Sequence, residues 1–289
     1  MNQMKKTFQE MLRYPSAIAG LLTVAFLVGL AIYAMVAIPY SQALILWRGG
    51  EDIWYQNPKF AAPAWFNNFT KLKQPVSFVM KESDPGIEKV VVPGDQNTSR
   101  ITITYSFDFS YDAFPQEILL YFDAKYKGKQ PFASIYWLTP DGREIRIADF
   151  GVDSKQTFRV SQDEKLIRRL GGVAPMEGLF VGEDGQTPVK GVYKLVVEGV
   201  TFEEGSDLNA EFVFHGNVYG LFGTDHQRRD LLVPMLWGAP VALAFGLIAS
   251  LGTSVLTMII AAMGAWYGGW VDELIQRITE VNLVLPFFS

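Results

Sequence analysis

Residues 231–271 read LLVPMLWGAPVALAFGLIASLGTSVLTMIIAAMGAWYGGWV, with no charged side chain in the run. A helix rises 1.5 Å per residue, so about 20 apolar residues cross a hydrocarbon core of about 30 Å. The run is long enough to span, and its best-placed crossing is 241–263. A second charge-free run, Tyr14–Trp47, lies near the other end of the 289-residue chain. Between them stand some 180 residues of ordinary soluble composition. The fold class expected is therefore mixed: α-helical transmembrane segments around an inserted all-β, sandwich-like extracytoplasmic domain. Most soluble-enzyme classes are excluded by this layout.

The apolar core of the first run, Ser16–Ile38, is 23 residues long, against about 7–15 for a signal-peptide core. No small-x-small cleavage site follows it, since Ala37-Ile38-Pro39 is a poor one. It reads as an uncleaved anchor. Lys5, Lys6 and Arg13 precede it and place the N-terminus in the cytoplasm by the positive-inside tendency. The insert then lies outside, and the second crossing returns inward. The segments expected are a cytoplasmic lead (1–15), a first transmembrane helix (16–40), an extracytoplasmic β-rich domain (41–220), an outer segment (221–240), a second transmembrane helix (241–263), and a cytoplasmic turn with the start of a third helix (264–289). The location is the cytoplasmic membrane, multi-pass, in contact with lipid.

Charge resides in the insert. Residues 49–230 hold 26 acidic and 20 basic side chains, within a chain of net charge −5. Such a surface does not attract nucleic acid, which needs a basic footprint. There is no cysteine, hence no disulfide frame and no thiolate metal site. The two histidines, His215 and His226, form no ligand cluster with neighbouring carboxylates in the sequence. His215 ends a strand and reads as a surface or hydrogen-bonded residue. No G-x-x-x-x-G-K-[ST] phosphate loop and no G-x-S-x-G elbow occurs. We assign no catalytic residue, no metal and no cofactor.

Strands are legible within 75–220. In Arg100–Phe109, Ile101, Ile103, Tyr105, Phe107 and Phe109 alternate with polar partners, a period of two that buries one face. Leu208, Ala210, Phe212 and Phe214 repeat the pattern, and Tyr193, Leu195 and Val197 mark another strand. Pro140-Asp141-Gly142 is a hairpin turn between Phe132–Leu138 and Arg143–Phe150. Ser161-Gln162-Asp163-Glu164 matches a capping box, with Ser161 as the cap and Gly171-Gly172 ending the helix. Eight or nine such strands suggest a two-sheet sandwich. Trp47, Trp54, Tyr55 and Trp65 follow the first crossing and suit either the headgroup level or the edge of the domain core.

On the second crossing, Ala242, Gly246, Ser250 and Ser254 recur every four residues and make one small-residue face. Such faces let helix backbones approach closely in lipid.

Two segments flank that crossing. The first runs Phe222-Gly223-Thr224-Asp225-His226-Gln227-Arg228-Arg229-Asp230 and leads to Gly238-Ala239-Pro240-Val241-Ala242-Leu243. The second is Gly264-Ala265-Trp266-Tyr267-Gly268-Gly269-Trp270-Val271-Asp272, followed by Arg277 and Leu285-Pro286. In order and spacing they resemble the permease subunits of dipeptide/oligopeptide-type ABC importers, where G-T-D-x-x-G-R-D precedes G-A-R-x-S-L and a G-Y-x-G-G-x-x-D…R turn follows. The resemblance covers about 220–289 well and 1–40 loosely, and it is silent on 50–215. Arg228 stands at the motif's second glycine, Pro240 and Ala242 replace an arginine and a serine, and the acidic residue after the turn's arginine is Glu280.

The resemblance implies a transport subunit with no ATPase of its own. It would form a pathway with a second permease subunit, be driven by cytoplasmic ATPase subunits, and take peptides or similar small solutes from an extracytoplasmic substrate-binding protein. Helix bundles would rock between inward and outward states. Gly223, Thr224, Asp225, Arg229 and Asp230 are the outer motif residues; Gly264, Gly268, Gly269, Asp272 and Arg277 are those of the cytoplasmic turn. Asp272 and Arg277 are expected to fix that turn by pairing with each other or at a helix end. The family's six helices and ATPase-docking loop are not contained in these residues, which points to the N-terminal part of a permease or a shortened relative. The alternative reading is a membrane-tethered extracytoplasmic β-sandwich binding or sensory module.

Overall fold

The computed structural model describes residues 14–284 apart from Ser83, Gln96, Glu183 and Asp184, with side chains to Val281. The expected lead before Tyr14 and Leu285-Pro286 lie outside the described residues. The chain divides into two compact units. One comprises Met1–Leu44 with Val233–Ser289, the other Ile45–Leu232.

In the first unit, α1 spans Pro15–Ala37. Proline at its start suits a helix, because the N–H it lacks would be unpaired there. α6, Leu232–Tyr267, is 36 residues long and encloses the 241–263 stretch. At about 54 Å it exceeds a bilayer core. The helix starts nine residues before 241 because nothing in 232–240 stops it, and Pro240 lies inside it. Both helices are long and apolar enough to cross a membrane. Trp237 Nε1–H donates to the Ile38 carbonyl at 3.1 Å, and its ring meets Tyr40 at 5.6 Å. A carbonyl at the end of α1 thus finds a donor on α6. α7, Gly269–Val284, carries Asp272, Glu273, Arg277 and Glu280, so its described turns are far more polar than α1 or α6.

The second unit begins with short helical segments, α2 (Tyr40–Arg48, entered from the first unit) and α3 (Glu51–Trp54), and then forms, among the described residues, nine strands. β1 (Phe78–Met80), β9 (Asp207–His215), β4 (Glu117–Lys125) and β7 (Lys155–Arg159) form a four-stranded sheet in that order. β2 (Ile87–Pro93), β3 (Ser99–Phe109), β8 (Gly191–Thr201), β5 (Phe132–Leu138) and β6 (Glu144–Gly151) form the other, again in that order. Every strand pair is antiparallel.

The two sheets bury a core rich in rings: Tyr105, Phe109, Trp137, Phe180, Tyr193 and Phe212 are fully enclosed. Their polar ends are satisfied. Trp137 Nε1–H donates to Leu179 O at 3.0 Å, Tyr193 O–H to Val189 O at 2.8 Å, and Tyr105 O–H to Ala210 O. Burying a ring this way stabilises without the penalty of an unpaired polar atom. The alternation expected in Arg100–Phe109 is the buried pattern of β3, where Ile101, Ile103, Tyr105 and Phe109 are enclosed.

The helix after β7 is α4, Glu164–Arg169. Its cap is Asp163, whose carboxylate accepts from Leu166 N at 2.7 Å, and not Ser161. Ser161 instead donates to Glu117 at 3.0 Å. A carboxylate two residues later competes better for the free helical N–H, and the hydroxyl is drawn to a buried anion. Gly171 and Gly172 end the segment with φ of +70° and +88°. One further turn, α5 (Pro175–Gly178), leads to β8.

Candidate functional site

The outer motif folds into a knot against residues 46–62. Gly223 has φ +74°, and a Cβ there would fall 2.1 Å from Ala61 O, so only glycine fits. The Thr224 hydroxyl accepts from Ala61 N at 3.0 Å and donates to Pro58 O at 2.8 Å. The Asp225 carboxylate accepts from Gln227 N and Arg229 N at 2.8 and 3.0 Å and from Arg229 Nε at 2.7 Å. Burial raises the Asp225 pKa, but these bonds and the Arg229 charge outweigh it and leave it below the ordinary value. Arg229 also donates to Trp47 O at 3.1 Å and lies over the Trp47 ring, 4.1 Å from its centre. Asp230 accepts from Leu232 N, the first residue of α6, at 2.8 Å. Half-buried, it is pushed above the usual carboxylate range by desolvation.

Arg228 is the departure from the motif, and its geometry explains the motif. Its φ is +66°, the left-handed region that favours the glycine otherwise found there. Its side chain is 95% enclosed and runs into the β unit. Nη1 donates to Asn57 O at 2.7 Å and to His215 Nδ1 at 3.0 Å; Nη2 donates to Glu117 Oε2 at 3.2 Å. Asn57 returns a bond to Arg228 O at 3.0 Å. The His215 ring is buried, with Nε2–H given to Tyr55 O at 3.1 Å, which leaves Nδ1 as the acceptor for Arg228. Burial, together with the Arg228 charge, holds its pKa below the ordinary value despite Glu117 nearby. Burial also opposes ionisation of Glu117, yet the Ser161 hydroxyl and the Arg159 charge prevail and hold it at about 2. His215 is therefore an interior hydrogen-bonded residue rather than a surface one.

The residues of the turn expected on the cytoplasmic side lie in the first unit. Gly268 and Gly269 have φ of +55° and +56°, and Gly268 N donates to Gly264 O at 2.9 Å, closing α6 before α7 begins. A Cβ on Gly264 would meet Asp272 Oδ1 at 3.2 Å, so the two helices touch at this glycine. Asp272 and Arg277 do not pair. Asp272 accepts from Gln276 at 3.1 Å and Arg277 pairs with Glu273 at 3.0 Å, each the ordinary bond along one helix face. Ala242, Gly246, Ser250 and Ser254 are uncovered by the other described residues. The four aromatics after the first crossing lie on the β unit. Trp54 and Trp65 donate to Leu46 O and Leu221 O, both at 2.8 Å, and Tyr55 meets Tyr121 edge-on at 4.5 Å.

Among the described residues no group of three or more His, Asp or Glu is placed to hold a metal. Sequence reasoning missed two features of this unit. One is the Arg228–Glu117–His215 contact, whose members are up to 111 positions apart. The other is a groove of about 790 Å³ on the open face of the four-stranded sheet, with β4, β7 and β9 as its floor. Its members come from strands distant in sequence, so no local pattern announces it.

No family model matches the chain. It is 34% identical over 71 residues to the peptidoglycan transport system permease protein YejE of Agrobacterium fabrum, which is 25% of this chain and 18% of that one. Over 65 residues it is 34% identical to the dipeptide transport system permease protein DppC of Alkalihalophilus pseudofirmus, covering 22% and 21%. Over 64 residues it is 39% identical to the inner membrane ABC transporter permease protein YejE of Escherichia coli, covering 22% and 19%. The match thus spans about a fifth of the length of these curated relatives. In structure, the β unit aligns with TmCBM61 in complex with beta-1,4-galactotriose at 8% identity and a TM-score of 0.24, over 54% of this chain and 92% of that one. A CBM4 structure aligns at 12% and 0.19, over 49% and 85%. At such scores the structural alignments carry no functional information. What stands is that this chain, with two candidate membrane spans among its described residues, shares partial homology, over roughly a quarter of its length, with permease subunits of peptide-type ABC transporters.

Proposed function

We propose that this chain acts as a permease subunit of a binding-protein-dependent ABC importer in the cytoplasmic membrane, moving peptides or similar small solutes. The observation that carries the reading is the outer motif knot. Gly223, Thr224, Asp225, Arg229 and Asp230 all take part in one hydrogen-bonded junction that leads directly into α6. A simple anchor has no use for that junction, and the sequence similarity to permeases supports the same reading. Gly264, Gly268, Gly269, Asp272 and Arg277 form the turn at the other end of α6, which we assign to the cytoplasmic side. The β unit is assigned to the extracytoplasmic side, where a substrate-binding protein docks. The small face of α6 packs against helices of a second permease subunit.

Chemistry is not asked of this chain. Its work is shape and gating, and energy comes from separate ATPase subunits. No charged side chain lies between Leu231 and Val271, so α6 offers a pathway walls rather than a proton relay. The test is uptake of labelled dialanine, trialanine and a tripeptide–muramyl conjugate by cells with and without the chain. Loss of uptake of at least one probe, restored by the intact chain, supports the reading. Unchanged uptake of all three removes it in favour of a membrane-tethered binding module, the reading that the open groove favours.

A further inference from the structure

The groove floor is built by alternation on three adjacent strands. Across the sheet, Glu211, Tyr121 and Thr157 stand in one row, and Asn209, Asp123 and Lys155 in the next. Period two turns both rows away from the core, while Phe122 and Ala210 between them point inward and are buried. Neighbouring strands lie about 4.8 Å apart, so the rows present polar groups at short, regular intervals. One wall is Tyr55 with Glu51 from α3 and the residue following it; Tyr55 meets Tyr121 edge-on at 4.5 Å. The volume, about 790 Å³, is that of a small-molecule site.

Most of the groove's charges already have partners. Arg159 meets Glu51 at 3.4 Å, Lys81 meets Glu211 at 3.7 Å, and Gln56 donates to Glu211 at 2.6 Å. Three floor groups, the Asp123 carboxylate, the Lys155 ammonium and the Thr157 hydroxyl, make no hydrogen bond or ion pair through their side chains among the described residues. Asp123 and Lys155 are directly opposed in the β4–β7 register. An anionic ligand is repelled by the first and a cation by the second. Adjacent hydroxyls satisfy both, because each hydroxyl donates to a carboxylate and accepts from an ammonium. The tyrosine rings beside them offer an apolar surface to the C–H face of a saturated ring.

We propose that this groove binds an uncharged, ring-containing polyhydroxyl ligand, a neutral oligosaccharide, with Asp123, Lys155 and Thr157 holding its hydroxyls and Tyr121 and Tyr55 its apolar face. The assignment rests on the β unit alone and stands whether or not the chain is a permease.

The test is calorimetric titration of the full chain in nanodiscs with neutral tri- to hexasaccharides of glucose, galactose and N-acetylglucosamine, beside trialanine and trilysine. Saturable binding of at least one saccharide is expected. Thr157→Ala and Asp123→Asn should each weaken it about tenfold, and Tyr121→Ala should abolish it. Thr157 and Asp123 are exposed, so the first two variants should unfold at the same temperature as the parent, and they keep the test open if Tyr121→Ala is unstable. Absence of saccharide binding overturns the proposal. So does binding that these two variants leave unchanged, or preferred binding of either peptide.

Discussion

The guanidinium of Arg228 lies 3.2 Å from the carboxylate of Glu117, and the two are 111 positions apart. Arg228 reaches this contact from a left-handed backbone, φ +66°, at a position where the resembled motif keeps a glycine. A local conformational cost is thus offset by a buried guanidinium whose two Nη groups are bonded to Asn57, His215 and Glu117, tying the outer motif to β4 and, through His215, to β9.

Removing that guanidinium should be severe. Arg228→Ala leaves Glu117 without its closest buried cation and keeps a Cβ in the left-handed region; the expected loss is about 3–5 kcal/mol. Arg228→Gly loses the same contacts but relieves the backbone, and should be about 1 kcal/mol more stable than the alanine variant. Denaturant unfolding of both variants measures the order. An alanine variant equal to or more stable than the glycine variant contradicts the strain argument.

Acid should weaken the same region in two steps. Neutral His215 is favoured in the folded state, so its contribution is full above the unfolded value of 6.5 and falls as the pH drops below it. Glu117 is held at about 2 against 4.5, so its contribution is full above 4.5 and is lost between 4.5 and about 2. By linkage the Glu117 step amounts to about 3 kcal/mol. Melting temperature followed from pH 8 to pH 2 should decline from about 6.5 downward. Glu117→Gln should be less stable at pH 7 yet lose less between pH 4.5 and 2. A variant with the parent's full acid sensitivity in that window speaks against Glu117 as its source.

Two glycines separate strain from crowding. Gly220 has φ +52°, and a Cβ there meets only an Asp230 oxygen at 3.9 Å. Gly223 has φ +74° and the Ala61 carbonyl at 2.1 Å. Gly220→Ala should cost about 1 kcal/mol, the left-handed penalty alone. Gly223→Ala must also displace backbone and should cost about 2–4 kcal/mol or prevent folding. Equal costs would show that the motif's close approach has no energetic weight.

Thr224→Val keeps shape and removes the hydroxyl that bridges Ala61 N and Pro58 O. The buried amide and carbonyl are left unpaired, so stability should fall by about 1–3 kcal/mol. Thr224→Ser, which keeps the hydroxyl, should recover most of the loss. Thermal melting of both distinguishes a hydrogen-bond role from methyl packing.

The elements legible in the sequence were those set by local pattern. Alternation in Arg100–Phe109 marks β3, Pro140-Asp141-Gly142 marks a hairpin, and the charge-free runs mark α1 and α6. Helix ends were less legible. Ser161 and Asp163 both suit a cap, and the choice went to Asp163 because Glu117, over 40 positions earlier, takes the Ser161 hydroxyl. Nothing near Arg228 announces burial of a charge, since Glu117 and His215 are brought side by side only by the pairing of β4 with β9. The groove is illegible for the same reason. Its rows combine β4, β7 and β9, and each strand alone shows only an ordinary polar face.

A permease subunit working within an ABC importer is revealed by the composition of the complex that the chain forms in its own membrane. Purification through the native chain in mild detergent, followed by quantitative mass spectrometry, should recover a second multi-spanning subunit and nucleotide-binding subunits in fixed proportion. Recovery of the chain with no nucleotide-binding subunit, before and after cross-linking, would contradict the account.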